Sequence, residues 1–167
     1  MKLGIHTEAL WRTIDKMKFE AKKHNLVVFT LTPANYEYVS SCLGFKGSKK
    51  EFESLLLRCL NELKTNCEIQ LHLHLAFFPN WLTYSNQEKM FKESFFWMKQ
   101  NGFKVSKITF GWWQFNRDSV ELAKKYKLEI IRKKHLPAIH DYDDFSASNL
   151  FRARLRRMKA ILSRSKQ

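Results

Sequence analysis

The chain has no run of about 18 apolar residues, so no segment reads as a membrane-spanning helix. Its first fifteen residues lack the apolar core of a signal peptide and instead carry His6 and Glu8 early, which leads us to expect a cytoplasmic protein. Cysteine is scarce: Cys42, Cys59 and Cys67 are an odd set without metal-binding spacing, so free thiols in a reducing compartment are expected. No repeat, low-complexity stretch or linker interrupts the 167 residues, and a single domain spanning 1–167 follows. Acidic residues are also few, with 16 Asp and Glu against 30 Lys and Arg, for a net charge of +14. Such an excess attracts phosphate, yet the cations are spread along the chain, so a Lys-rich surface is favoured over nucleic acid as a partner.

What is present is core material. The chain is 44% hydrophobic and 14% aromatic, which argues against disorder. Strand-like and helix-like segments alternate. Lys2 to Ile5 reads as a strand, and Glu8 to His24 as a helix with Leu10, Ile14, Met17 and Ala21 on one face. Leu26 to Leu31 reads as a buried strand, ended by Thr32 and Pro33. Ser48, with Glu51 three residues on, announces a helix over Lys49 to Lys64, whose stripe is Phe52, Leu55, Leu56, Cys59, Leu60 and Leu63. Glu68 to Leu75 is the third strand, followed by a loop containing Pro79. Ser85 and Glu88 suggest a capping box for a helix to Gln100, stopped at Asn101-Gly102. Ser106 to Phe110, Leu128 to Ile131 and Leu136 to Ile139 read as strands. Helices are expected from Asn116 to Tyr126 and from Ser146 to Ser163. Near-strict alternation predicts an α/β fold with parallel strands, either an open sheet or an incomplete (β/α) barrel. In both, an active site gathers at the C-terminal ends of the strands.

The residues expected at those ends are polar. His6 and Glu8 follow the first strand and His72 and His74 close the third. Trp112 and Trp113 follow the fourth, and His140, Asp141 and Asp143 follow the last. His72 and His74 are two apart, so both imidazoles project from one side of a strand and can converge on an ion. Two His and a carboxylate form a common hydrolytic set, zinc being its usual metal. The competing reading of His-x-His is one histidine in the core and one in solvent. His140 ends a strand beside carboxylates, as a general acid or base does, although Asp143 and its neighbours also suit a helix N-cap. The indoles of Trp112 and Trp113 suit either stacking on a substrate or core packing.

Three motifs in order resemble the polysaccharide deacetylase family over most of the chain, from about Val27 onward. Glu68-Ile-Gln-Leu-His72-Leu-His74 is similar to its metal-histidine strand. Ile108-Thr-Phe-Gly111-Trp-Trp113-Gln-Phe-Asn116 resembles its glycine-tryptophan loop. Leu136-Pro-Ala-Ile-His140-Asp141-Tyr142-Asp143 resembles its terminal strand with the catalytic histidine. The resemblance implies a distorted (β/α) barrel that removes acetyl groups from amino sugars with a divalent metal, a carboxylate activating water and a His protonating the leaving amine. This chain departs from that pattern at three places. His6-Thr7-Glu8 replaces the family's paired aspartates, Ala76 stands at the second metal histidine, and Thr109 stands at the expected arginine.

The expected function is therefore a metal-dependent amide or ester hydrolase, with a carbohydrate or other small-molecule substrate. His72, His74 and His6 are its candidate ligands. Glu8, His140 and Asp141 are its candidate catalytic groups, with Glu8 also able to ligate. Trp112, Trp113 and Asp143 are its candidate substrate contacts. Two alternatives stand beside it: a metallophosphoesterase, suited to the basic charge, and a degenerate barrel serving as a binding module for nucleic acid through the basic segment from Phe151 to Gln167. An incomplete barrel would also have an open edge that a homodimer could cover.

Overall fold

The computed structural model describes residues 2–77, 80–132 and 139–141. In chain order these form β1 (Lys2–Thr7), α1 (Leu10–Ala21), β2 (Asn25–Thr30), α2 (Tyr36–Cys42), α3 (Lys49–Leu63), β3 (Cys67–Leu73), β4 (Ala76–Phe77), β5 (Asn80–Trp81), α4 (Tyr84–Gln100), β6 (Lys107–Phe110), α5 (Arg117–Lys125), β7 (Glu129–Ile130) and β8 (Ile139–Asp141). Six strands make one sheet in the order β7-β6-β3-β2-β1-β8, and every neighbouring pair is parallel. The expected parallel α/β architecture is present. Among the described residues no pairing joins β7 to β8, so the sheet is open there. No helix among the described residues is long and apolar enough to cross a membrane.

Strand alternation separates two faces. Ile5, Leu26, Val28, Ile69, Leu71, Leu73, Ile108 and Phe110 join Leu10, Met17, Phe52, Leu56, Leu60, Phe91 and Leu122 in one core, so helices cover that face. Val27, Phe29 and Ile131 form a second small cluster that, among the described residues, no buried helix residue joins. The same face carries the buried polar residues His6, Gln70, His72 and Thr109. Burying polar groups without partners is costly, so this face has to satisfy them internally. Gln70 does so at the N-terminal end. Its amide oxygen accepts from the backbone N–H groups of Ser106 and Lys107 at 2.9 and 2.7 Å, which pins the start of β6. Lys107 crosses to Glu68 at 2.6 Å beside it.

Several local expectations need correction. Helix α1 begins at Leu10, two residues late, and Glu8 lies before it in the loop. The N-cap of α4 is Thr83, whose hydroxyl accepts from Asn86, because the chain already turns helical at Tyr84, ahead of Ser85. Glu88 pairs with Lys125 on α5 instead of closing a capping box. The loop after Thr32 contains helix α2, and the expected Pro79 loop is flanked by the short antiparallel pair β4–β5. His140 and Asp141 lie within β8 and not after it. The expected helix at Ser146 to Ser163 lies outside the described residues.

The Ser48 capping box is present in full. Ser48 Oγ accepts from the Glu51 N–H at 3.2 Å, and the Glu51 carboxylate accepts from the Ser48 N–H at 2.6 Å. Ser48→Ala should cost about 1 kcal/mol of unfolding free energy, read as a lowered urea midpoint with an unchanged denaturant slope.

Candidate metal centre

The sheet brings together residues from three segments at its C-terminal edge. His6 lies at the C-terminal end of β1 and Glu8 just after it, while His72 lies at the end of β3 and His74 just after it. Strands β1 and β3 flank β2, so on a flat sheet their backbones would stand about 9–10 Å apart. The imidazole centroids of His6 and His72 are nevertheless 3.8 Å apart, and their Nε2 atoms 2.9 Å apart. The two rings therefore reach toward each other over β2.

Glu8 completes the group. Its Oε1 lies 3.9 Å from His6 Nε2 and 3.8 Å from His72 Nε2. These three atoms define a triangle with sides of 2.9, 3.8 and 3.9 Å. Its circumradius, the product of the sides divided by four times the area, is about 2.1 Å, which matches zinc–imidazole and zinc–carboxylate bond lengths of roughly 2.0–2.2 Å. Among the described residues these are the one set of His, Cys, Asp or Glu side chains close enough to share an ion. None of the three cysteines joins it. All three are free, and burial pushes the Cys67 thiol up to about 11.

Two of the three donors, His72 and Glu8, are held from behind. His72 Nδ1 is 3.0 Å from Thr109 Oγ1, its register partner on β6. Donation of Nδ1–H to that hydroxyl leaves the Nε2 lone pair aimed at His6 and Glu8, as metal-binding imidazoles are commonly arranged. His74 does not join the triangle. Its Nε2 donates to Glu8 Oε1 at 2.7 Å. His74 in turn is fixed on three sides. Tyr38 stacks on its ring at 3.8 Å, Asn35 donates to its carbonyl at 3.4 Å, and Gly111 lies flat against the imidazole. A Cβ at position 111 would stand 2.2 Å from His74 Nδ1, so only glycine fits there. The Tyr38 hydroxyl donates to Glu8 Oε2. Trp113 meets His6 edge-on at 5.8 Å from a left-handed backbone conformation, φ 61°, unusual for a bulky residue and found most often at functional sites.

His6, Glu8, His72, His74 and Trp113 thus converge as the strand-end pattern anticipates. Asp141 is the register partner of His6, and His140 that of Ile5. Asp143 and the side chain of Trp112 lie outside the described residues. Tyr38 and Gly111 were not anticipated as part of the site, and Thr109 appeared only as a missing arginine. For Thr109 the signal was available, since it stands on a strand adjacent to the His-x-His strand.

The electrostatics follow from burial. Burial alone would raise the Glu8 carboxyl, but His74 and then His72 beside it overcome this and hold it well below the usual carboxylate range. Burial also drives the His72 imidazole well below its ordinary value, with His6 adding to the effect and Glu8 opposing it. The cluster is therefore an anionic carboxylate facing a neutral imidazole, the protonation states that metal ligation requires. Comparisons of the chain with protein-family models, with curated proteins and with solved structures find no match.

Below about pH 6.5 the unfolded chain protonates the His72 imidazole while the folded chain does not, so the unfolded state holds more protons. Stability of the metal-free protein should therefore fall as pH is lowered from 6.5. His72 contributes at most about 1.4 kcal/mol per pH unit, and Glu8 adds the same sign below its ordinary range. Urea unfolding of chelator-treated protein between pH 7.5 and 5.5 measures this, and His72→Gln should flatten the slope. A wild-type profile already flat over that range would contradict the buried neutral imidazole.

Proposed function

We propose that the chain is a metal-dependent hydrolase of amide or ester bonds, with one zinc ion held by His6, Glu8 and His72. The observation that carries this reading is the donor triangle. Two imidazole nitrogens and one carboxylate oxygen surround a point about 2.1 Å from each, a zinc bond length. Three protein donors leave a further coordination position for water or substrate, as catalytic zinc sites do. Held by His6, Glu8 and His72, a divalent ion would supply a bound water of near-neutral pKa and charge to stabilise a developing oxyanion. His74 holds Glu8 in place, and Thr109 holds the tautomer of His72. Trp113, half-buried beside His6, offers an indole edge to a substrate at the rim. Asp141, the register partner of His6 on the strand next to β1, is the proposed proton donor to the leaving group, the role expected of His140, which is instead paired with Ile5 of the helix-covered face.

The architecture we propose is an unclosed (β/α) barrel of the polysaccharide deacetylase kind. The strand order supports it: β1, β2, β3, β6 and β7 follow chain order along the sheet, and β8 returns to the free side of β1. The burial of the face that no helix among the described residues covers supports the same curl. An N-acetylated sugar is accordingly the proposed substrate, and the three free cysteines favour a cytoplasmic location.

A second reading has an observation of its own. The Nε2 atoms of His6 and His72 are at hydrogen-bond distance, and His74 bonds Glu8, so the cluster can also stand as a polar network without an ion. Metal analysis separates the two. The hydrolase reading predicts about one zinc per chain after reconstitution and dialysis. It also predicts zinc-dependent release of acetate from N-acetylated oligosaccharides or an activated acetyl ester. His72→Ala, His6→Ala and Glu8→Ala should each abolish retention of the ion, and Thr109→Val should weaken it by about 10–100-fold. Metal-free wild-type protein indistinguishable from His72→Ala would sink the hydrolase in favour of the polar network.

A further inference from the structure

The two oxygens of Glu8 face different partners. Oε1 looks into the donor triangle and accepts from His74 at 2.7 Å. Oε2 is turned away and accepts the hydroxyl hydrogen of Tyr38. Tyr38 comes from α2, thirty residues along the chain, and is buried with its ring stacked on His74 at 3.8 Å and an interplanar angle of 16°. The ring and the hydroxyl therefore brace the two members of one pair, His74 through its face and Glu8 through its outer oxygen.

We propose that Tyr38 is a positioning residue that keeps Glu8 a one-oxygen ligand and thereby biases the site toward four-coordinate zinc. The inference rests on the metal reading above and deepens it. Ions that seek six or more oxygens, such as manganese and calcium, gain from a carboxylate that binds through both oxygens. The Tyr38 hydroxyl fixes the rotation of the carboxylate with Oε1 nearest the two imidazoles, so a grip through both oxygens would require that bond to break. With two imidazoles and one oxygen, the donor number stays at three and suits the tetrahedral preference of zinc. Removing only the hydroxyl frees Oε2 while leaving an aromatic ring on His74, so Tyr38→Phe isolates this contact.

The probe is cobalt(II), whose visible ligand-field bands are strong in four-coordinate sites and weak in six-coordinate ones, paired with zinc-against-manganese competition on the full chain. Wild-type protein should give strong cobalt bands. Tyr38→Phe should lower their intensity several-fold and cut the zinc-over-manganese preference by about tenfold, without loss of cobalt stoichiometry. His74→Gln, which removes the brace on the other oxygen, should weaken affinity for both ions alike and leave the preference in place. Unchanged bands and preference in Tyr38→Phe would overturn the role of Tyr38 while leaving the metal centre standing. Weak, six-coordinate bands in the wild type would overturn it without recourse to any variant. No cobalt bound by the wild type would instead remove the metal reading itself.

Discussion

The buried Glu8 carboxylate is the constraint on which the site depends. Taking a carboxylate out of water costs several kcal/mol unless charged or hydrogen-bonding partners surround it. Here the partners are His74, His72 and Tyr38, and the two histidines more than reverse the effect of burial on its acidity. Those partners come from β3 and α2, while Glu8 leaves β1. Holding the charge therefore ties three segments of the chain to one point at the C-terminal edge of the sheet. The same tie brings His6 and His72 into contact across β2.

The sheet makes this possible through its two dissimilar faces. Helices cover the face that carries Ile5, Val28, Leu71 and Phe110 with ordinary apolar packing. The opposite face buries polar residues and organises them in layers. Gln70, Glu68 and Lys107 bind one another and the start of β6 at the N-terminal end. Val27, Phe29 and Ile131 form an apolar middle. The histidines and Glu8 occupy the C-terminal end. Strand β6 and the turn after it serve that end three times over, with Thr109 on His72, Gly111 on His74 and Trp113 on His6. One short segment thus sets the position of all three imidazoles.

Much of this was legible in the sequence where a local rule applied. Period-two alternation put His72 and His74 on one side of a strand, and the Ser48–Glu51 pair marked a helix start. The alternation of elements called for a parallel sheet. What was not legible depends on tertiary curvature or on short elements. Helix α2 has seven residues, rich in aromatic, β-branched and serine side chains, too short to carry a helical stripe, so Tyr38 gave no signal. Glu8 looked like the first turn of a helix, whereas its burial in the loop before α1 is what frees it to face the imidazoles. The equal roles expected of His72 and His74 divide in space, one directed at His6 and the other at Glu8. That division follows from where β1 lies, which the residues of β3 do not encode. The need for glycine at 111 likewise arises only once His74 lies against it.

The central claim is that His6, Glu8 and His72, and not the adjacent His-x-His pair, hold the ion. Anomalous diffraction at the zinc edge, from crystals grown with zinc, tests it most directly. The account predicts one peak about 2.0–2.2 Å from His6 Nε2, His72 Nε2 and Glu8 Oε1, with His74 outside bonding distance. A peak bonded to His74 or to a cysteine sulfur with those three atoms unligated, or no peak at the cluster, would contradict it.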